Sequence, residues 1–155
     1  MAAAPAEGLR PFAQAADCDC RLRMRTSACS RLATERAGLK DNAYGMGAVA
    51  GGFDNDGHTD LFVTNWGGNI LYRNRGDGTF REVTATAAVA GSRWGTAAAW
   101  GDVDGDQRLD LYVANYVDDD READMFCGDP KTGVRDYCQP IKYPGTRPSL
   151  YRNRG

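Results

Sequence analysis

Short apolar runs, each bounded by turn residues, set the pattern of this chain. "GAVAG" (47–51), "DLFVTN" (60–65), "ILYRN" (70–74) and "FREVT" (80–84) are β-branched, aromatic or small at alternate positions, and each predicts a strand. Gly67-Gly68 separates the second run from the third, and Asp77-Gly78, a good hairpin-turn dipeptide, separates the third from the fourth. No heptad or long amphipathic helical pattern interrupts them. "TAAAWG" (96–101) then opens a second set, and its alanines suit an innermost strand where chains crowd together.

The second set is a copy of the first. At an offset of fifty, Thr34 falls on Thr84, Ala37 on Ala87 and Tyr44-Gly45 on Trp94-Gly95. "DNDGHTDLFVTNW" (54–66) falls on "DGDQRLDLYVANY" (104–116), with the aspartates, Leu61/Leu111, Val63/Val113 and Asn65/Asn115 in register. A third piece, "ILYRNRG" (70–76), returns as "SLYRNRG" (149–155), after an insertion between Val117 and Pro148. Repeats of this length, each holding four short strands, are the signature of β-propeller blades. The expected fold is therefore all-β: a partial propeller of about two blades plus an incomplete third over 32–155, with an insertion at 118–148. The last copy stops at Gly155, where the first continues with "DGTF", so the chain is expected to end inside a repeat. Residues 1–31 match nothing in the repeats and are expected to be a disordered or mis-called arm.

Composition narrows the function classes. With 155 residues, a net charge of −2 and a pI near 5.4, the chain has no basic footprint for nucleic acid. No run approaches the ~20 apolar residues of a membrane span, and Met1 to Ala16 lacks the basic start and apolar core of a signal peptide. Five cysteines, Cys18, Cys20, Cys29, Cys127 and Cys138, forbid complete internal pairing. The spacing of the first three fits no common zinc site.

These motifs together resemble the FG-GAP/VCBS repeat of integrin α-subunits and many bacterial exported proteins. The resemblance is closer to the cartilage acidic protein (ASPIC/UnbV-containing) branch. It is carried by "GGFDNDGHTDLFVTNWGGNILYRNRGDGTFREVT", by "WGDVDGDQRLDLYVANYV", and by "CG…DYCQP…YPGTRPSLYRNRG", which is similar to that branch's Cys-containing insertion. It covers roughly Leu32 to Gly155. The resemblance implies an extracellular or periplasmic location and an unknown protein or glycan ligand, with further blades outside this chain. Within the insertion, Cys127 and Cys138 are the expected disulfide, which implies an oxidising compartment.

The crowded aspartates call for a cation. Calcium takes six to eight oxygen ligands, and its charge offsets repulsion among carboxylates. A D-x-D-x-D-G-x-x-D loop turns alternate side chains inward, which nominates Asp102, Asp104, Asp106 and Asp110 in the second copy. In the first copy it nominates Asp54, Asp56 and Asp60, with Gly52 at the leading position, so weaker binding is expected there. Gln107 stands where the first loop has Gly57, at a cost if that position needs φ > 0. An EF-hand is excluded, because its twelfth-position Glu is Val63 or Val113 here. Magnesium, which keeps its waters, suits the set less well. The alternative is an empty acidic turn held by Asx hydrogen bonds.

Other features have plain readings. Arg75-Gly76-Asp77 lies at a turn that recurs as Arg154-Gly155, so turn chemistry accounts for it without adhesion. His58 is expected to face solvent. Trp66, Trp94 and Trp100 are expected to pack between strands, with a sugar site as the alternative. Asp118, Asp119, Asp120, Glu122 and Asp124 read as a solvated face or a second cation site. No nucleophile with a partnered histidine is visible, so a non-catalytic, calcium-binding interaction module is the leading reading. A polysaccharide-active propeller enzyme and a fragment without independent function are the alternatives. Exposed blade edges are expected to make the isolated chain oligomeric or marginal.

Overall fold

The structure is a computed structural model, and it describes residues 32–40, 42–118 and 125–155. All its strands lie in one compact unit, Thr34–Gly155. The arm 1–31, with Cys18, Cys20 and Cys29, lies outside the described residues, as do Asp119, Asp120, Glu122 and Asp124 of the acidic run. Among the described residues no helix is long and apolar enough to cross a membrane.

The first four runs form one antiparallel sheet in chain order: β1 (Tyr44–Gly51), β2 (Asp60–Trp66), β3 (Ile70–Asn74) and β4 (Phe80–Glu82). The second set begins identically, with β5 (Gly95–Gly101) paired to β6 (Asp110–Asn115). Registers match across the repeat: Gly51 pairs Asp60, and Gly101 pairs Asp110. Even the bulge recurs, between Gly45 and Gly47 in β1 and between Gly95 and Ala97 in β5. The chain is thus all-β, built of blade-like sheets that do not close into a ring.

The segment 149–155 has a different place from the one its offset suggested. β9 (Ser149–Tyr151) pairs with β6 and is the third strand of the second sheet, so the described residues hold a four-stranded and a three-stranded blade. The insertion postpones that strand without moving it to a new unit. Inside the insertion, β7 (Gly128–Asp129) and β8 (Val134–Arg135) form a small hairpin. The disulfide Cys127–Cys138 closes its base. The insertion's ends are joined by the bridge of Val117 to Gly145 and by the Asp118 N–H donating to the Pro144 carbonyl at 2.7 Å.

The core lies between the sheets. Phe62, Leu71, Val83 and Val89 from the first sheet and its following turn meet Leu111 and Val113 of β6, with Trp100 and Tyr151 packed alongside. β2 and β6 have the same pattern, yet they bury opposite faces. Phe62 is fully buried, whereas its counterpart Tyr112 is 44% exposed; Leu111 and Val113 are buried where Leu61 and Val63 are only half-buried. This is how blades stack, with the trailing face of one sheet covering the leading face of the next. The first strands come closest: a Cβ on Gly51 would overlap the Trp100 indole, so glycine is required there by contact.

Candidate metal centre

Each acidic loop joins the first two strands of its sheet and turns twice through the left-handed region. In the first loop Asn55 (φ 56°) and Gly57 (φ 85°) do so; in the second, Gly105 (φ 77°) and Gln107 (φ 67°). The backbone path is therefore shared, and each copy places glycine at a different one of the two bends. Gln107 does hold a positive φ, so the condition on which its cost rested is met.

The last aspartate of each loop is a strut. Asp60 is buried, and its two carboxylate oxygens accept from the Phe53 N–H (3.1 Å) and the Asn74 N–H (2.8 Å). Asp110 repeats this with the Val103 N–H (3.2 Å) and the Asn153 N–H (2.8 Å). Each thus ties the start of its loop to the end of the third strand. Burial pushes the Asp60 carboxyl above its ordinary pKa of 3.8, against the lowering effect of the Asn74 and Phe53 amides.

The remaining aspartates separate the two loops. Asp102, Asp104 and Asp106 each offer an oxygen within 4.8 Å of the others'. Asp102 is fixed by the loop itself, accepting from the N–H groups of Gly105 (2.7 Å), Asp106 (3.1 Å) and Gln107 (2.9 Å). These bonds, that of Gln107 foremost, hold its carboxyl below the ordinary value. Asp110 belongs beneath this group as the strut just described. In the first loop Gly52 takes the place of Asp102, and the cation beside the carboxylates is an arginine. Arg73 Nε lies 2.5 Å from Asp54 and its Nη2 lies 3.0 Å from Asp56. The guanidinium pKa rises accordingly, through the bond to Asp56 first and the charge of Asp54 next. Asp56 is lowered, chiefly by the His58 N–H and further by Arg73.

Several site residues were not singled out in the sequence. Arg152 pairs with Asp104 and Arg108 with Asp106. Asn153 Nδ2 donates to the carbonyls of Phe53 (2.6 Å) and Leu109 (3.2 Å), and Asn55 Nδ2 donates to the Gln107 carbonyl (3.1 Å). The two loops are therefore stitched together. The verbatim return of "LYRNRG" was the available signal, since it supplies Arg73, Asn74, Arg152 and Asn153.

The features set aside in the sequence take ordinary places. Asp77 accepts from both the N–H (2.9 Å) and the hydroxyl (2.7 Å) of Thr79, completing the β3–β4 turn. His58 is exposed, its ring against Gly76. Trp100 packs edge-on to Phe62 in the core. Trp66 and Trp94 lie 5.8 Å apart, in a row continued by Tyr44 and Tyr116.

No curated protein matches the chain significantly. Residues 52–113, from the mouth of the first acidic loop into β6, match the family model of the FG-GAP-like repeat. That match supports an FG-GAP/VCBS repeat there, a unit whose fold is the β-propeller blade found in the sheets above.

Proposed function

We propose that the chain is a calcium-binding FG-GAP/VCBS propeller segment that serves outside the cytoplasm as a non-catalytic module for binding a protein or glycan. The observation that carries this reading is the convergence of Asp102, Asp104 and Asp106. The donors are all hard oxygens, three carboxylates at one point, which suits calcium better than a transition metal. Asp102, Asp104 and Asp106 would hold the ion, and its charge would offset their mutual repulsion. Asp110, through the Val103 and Asn153 amides, keeps the loop mouth fixed beneath them. Of Asp54, Asp56 and Asp60, the first two form the weaker candidate, because Gly52 supplies no third rim carboxylate and Asp60, like Asp110, is taken up by two backbone amides. The Cys127–Cys138 disulfide supports an oxidising compartment. Its insertion, followed by "YPGTRPSLYRNRG", supports kinship with the cartilage acidic protein (ASPIC/UnbV-containing) branch.

Calcium titration followed by thermal melting tests the reading. Calcium at a hundredfold over Kd stabilises by about 2.7 kcal/mol, and Asp104→Ala should abolish that rise while Asp54→Ala leaves most of it. Calcium without effect on melting, together with a silent calorimetric titration, would sink the proposal.

A further inference from the structure

The acidic loops occupy one end of the strands, and aromatic rings occupy the other. β2 begins at Asp60 and ends at Trp66, roughly 20 Å away along the strand. Trp94 directly precedes β5, and its ring lies 5.8 Å from that of Trp66 at a tilt of 49°. Both indoles are half-buried. Together they wall a cavity of about 160 Å³ with Ser92 and Arg93, from the approach to β5, and with Val117 and Asp118, from the exit of β6. The base of the insertion braces that frame. Arg93 Nη1 donates to the Arg147 carbonyl (3.2 Å), Val117 bridges to Gly145, and the Asp118 N–H donates to the Pro144 carbonyl. The cavity thus draws on both sheets and on the insertion.

The lining selects a class of ligand. A bare cation would meet Arg93 and a bare anion would meet Asp118, so a charged ligand of either sign is opposed. A hydrocarbon would strip water from Asp118, Arg93 and the Ser92 hydroxyl and replace none of it. A neutral ring with an apolar C–H face and hydroxyls at its edge suits every wall. A carboxylate accepts from such hydroxyls and a guanidinium donates to them. The volume lies below the roughly 300–1,000 Å³ of drug-sized sites, so it holds one such ring. The Trp94 Nε1–H is buried and has no hydrogen-bond partner among the described residues, which leaves a donor of this wall unmet.

We propose that the cavity walled by Trp66, Trp94, Arg93 and Asp118 is a binding site for one neutral sugar residue of a glycan. The C–H face of the sugar packs on the indoles, and its hydroxyls bond Asp118, Arg93 and Ser92. This site rests on the reading of the chain as a binding module and narrows its ligand to a glycan. It lies at the far end of the strands from the acidic loops and needs no ion.

The test titrates the full chain with a panel of neutral hexose and N-acetylhexosamine methyl glycosides, and with choline and inorganic sulfate as charged probes. Tryptophan emission and ligand-observed NMR read the binding. At least one neutral glycoside should bind saturably and shift the emission, and neither charged probe should displace it. Asp118→Asn should melt like the parent, since the bond of Asp118 to Pro144 uses its backbone, and should weaken binding at least about tenfold. Trp66→Ala should abolish binding; if that variant fails to fold, Asp118→Asn decides. Tyr137→Ala, which removes an exposed ring outside the cavity, should bind like the parent. No saturable binding by any neutral glycoside, displacement by choline or sulfate, or undiminished binding by a folded Asp118→Asn chain would overturn the proposal. The sugar site and the calcium reading fail separately. A Tm raised by calcium with no glycoside bound removes the first alone, and a bound glycoside with a Tm indifferent to calcium removes the second alone.

Discussion

Gln107→Gly should stabilise the protein, and Gly57→Gln should destabilise it by a similar amount. The two residues hold the same left-handed bend, at φ 67° and φ 85°. A side chain in that region costs roughly 1–2 kcal/mol, because Cβ crowds the following carbonyl. Glycine relieves this but restores about 0.5–1 kcal/mol of unfolded-chain entropy. The net gain for Gln107→Gly is therefore about 0.5–1 kcal/mol, a rise in Tm of about 2–5 °C for a unit of this size. Nothing else changes: the bonds of Gln107 to Asp102 and Asn55 use its backbone N–H and carbonyl. At Gly57 no atom lies within 4 Å of where a Cβ would stand, so the cost there is torsional and not steric. Gln107→Asn should fall between, since asparagine enters the left-handed region more readily. Urea and thermal unfolding in a calcium chelator, with the m-value checked for constancy, read all three variants. If Gln107→Gly gains nothing, or Gly57→Gln costs nothing, a shared backbone path is not what the two loops have in common.

The other expectations concern the struts and the insertion. Asp60→Asn and Asp110→Asn each turn an acceptor into a donor facing a buried N–H, and each should cost about 2–3 kcal/mol in urea unfolding with chelator present. Asp54→Asn breaks only a partly exposed ion pair with Arg73 and should cost less than about 1 kcal/mol. Replacing Cys127 and Cys138 by serine opens a closure spanning eleven residues, worth about 3 kcal/mol in chain entropy. Hydrogen exchange should then show protection lost across β7 and β8 and kept in β1 to β6.

Strand positions were legible because alternating apolar residues and glycine turns are local signals, and the fifty-residue offset fixed which strands correspond. β4 is shorter than "FREVT" suggests, because Val83 and Thr84 leave the ladder. Their N–H and hydroxyl serve Leu71 instead, and the chain turns at 84–88. The place of β9 was not legible, since the insertion lengthens the offset from 50 (60→110) to 79 (70→149) without changing the partner strand. Nor was the difference in burial between Phe62 and Tyr112. Both faces of a blade are apolar, and which one is covered depends on the neighbouring sheet. Within the site, counting carboxylates could not separate rim from strut. Asp56 and Asp60 differ in role because one lies at a solvated bend and the other beneath a closed turn.

That separation bears on what an ion would stabilise. The struts join the start of each loop to the end of the third strand through two backbone amides apiece, and these bonds draw on no external charge. The rim carboxylates repel one another and are held near Arg73, Arg108 and Arg152 by exposed pairs of the kind that contribute little. Removing calcium would therefore loosen the bend between the first and second strands and leave the blade standing. The asymmetry between copies follows as well. Both rims carry arginine, Arg73 across Asp54 and Asp56 in the first loop and Arg152 and Arg108 on Asp104 and Asp106 in the second, and what the second adds is the third carboxylate, Asp102. On the proposed reading the second loop, with three carboxylates at one point, is the one that would answer an ion, and the bonds from Asn55 and Asn153 join it to the first loop.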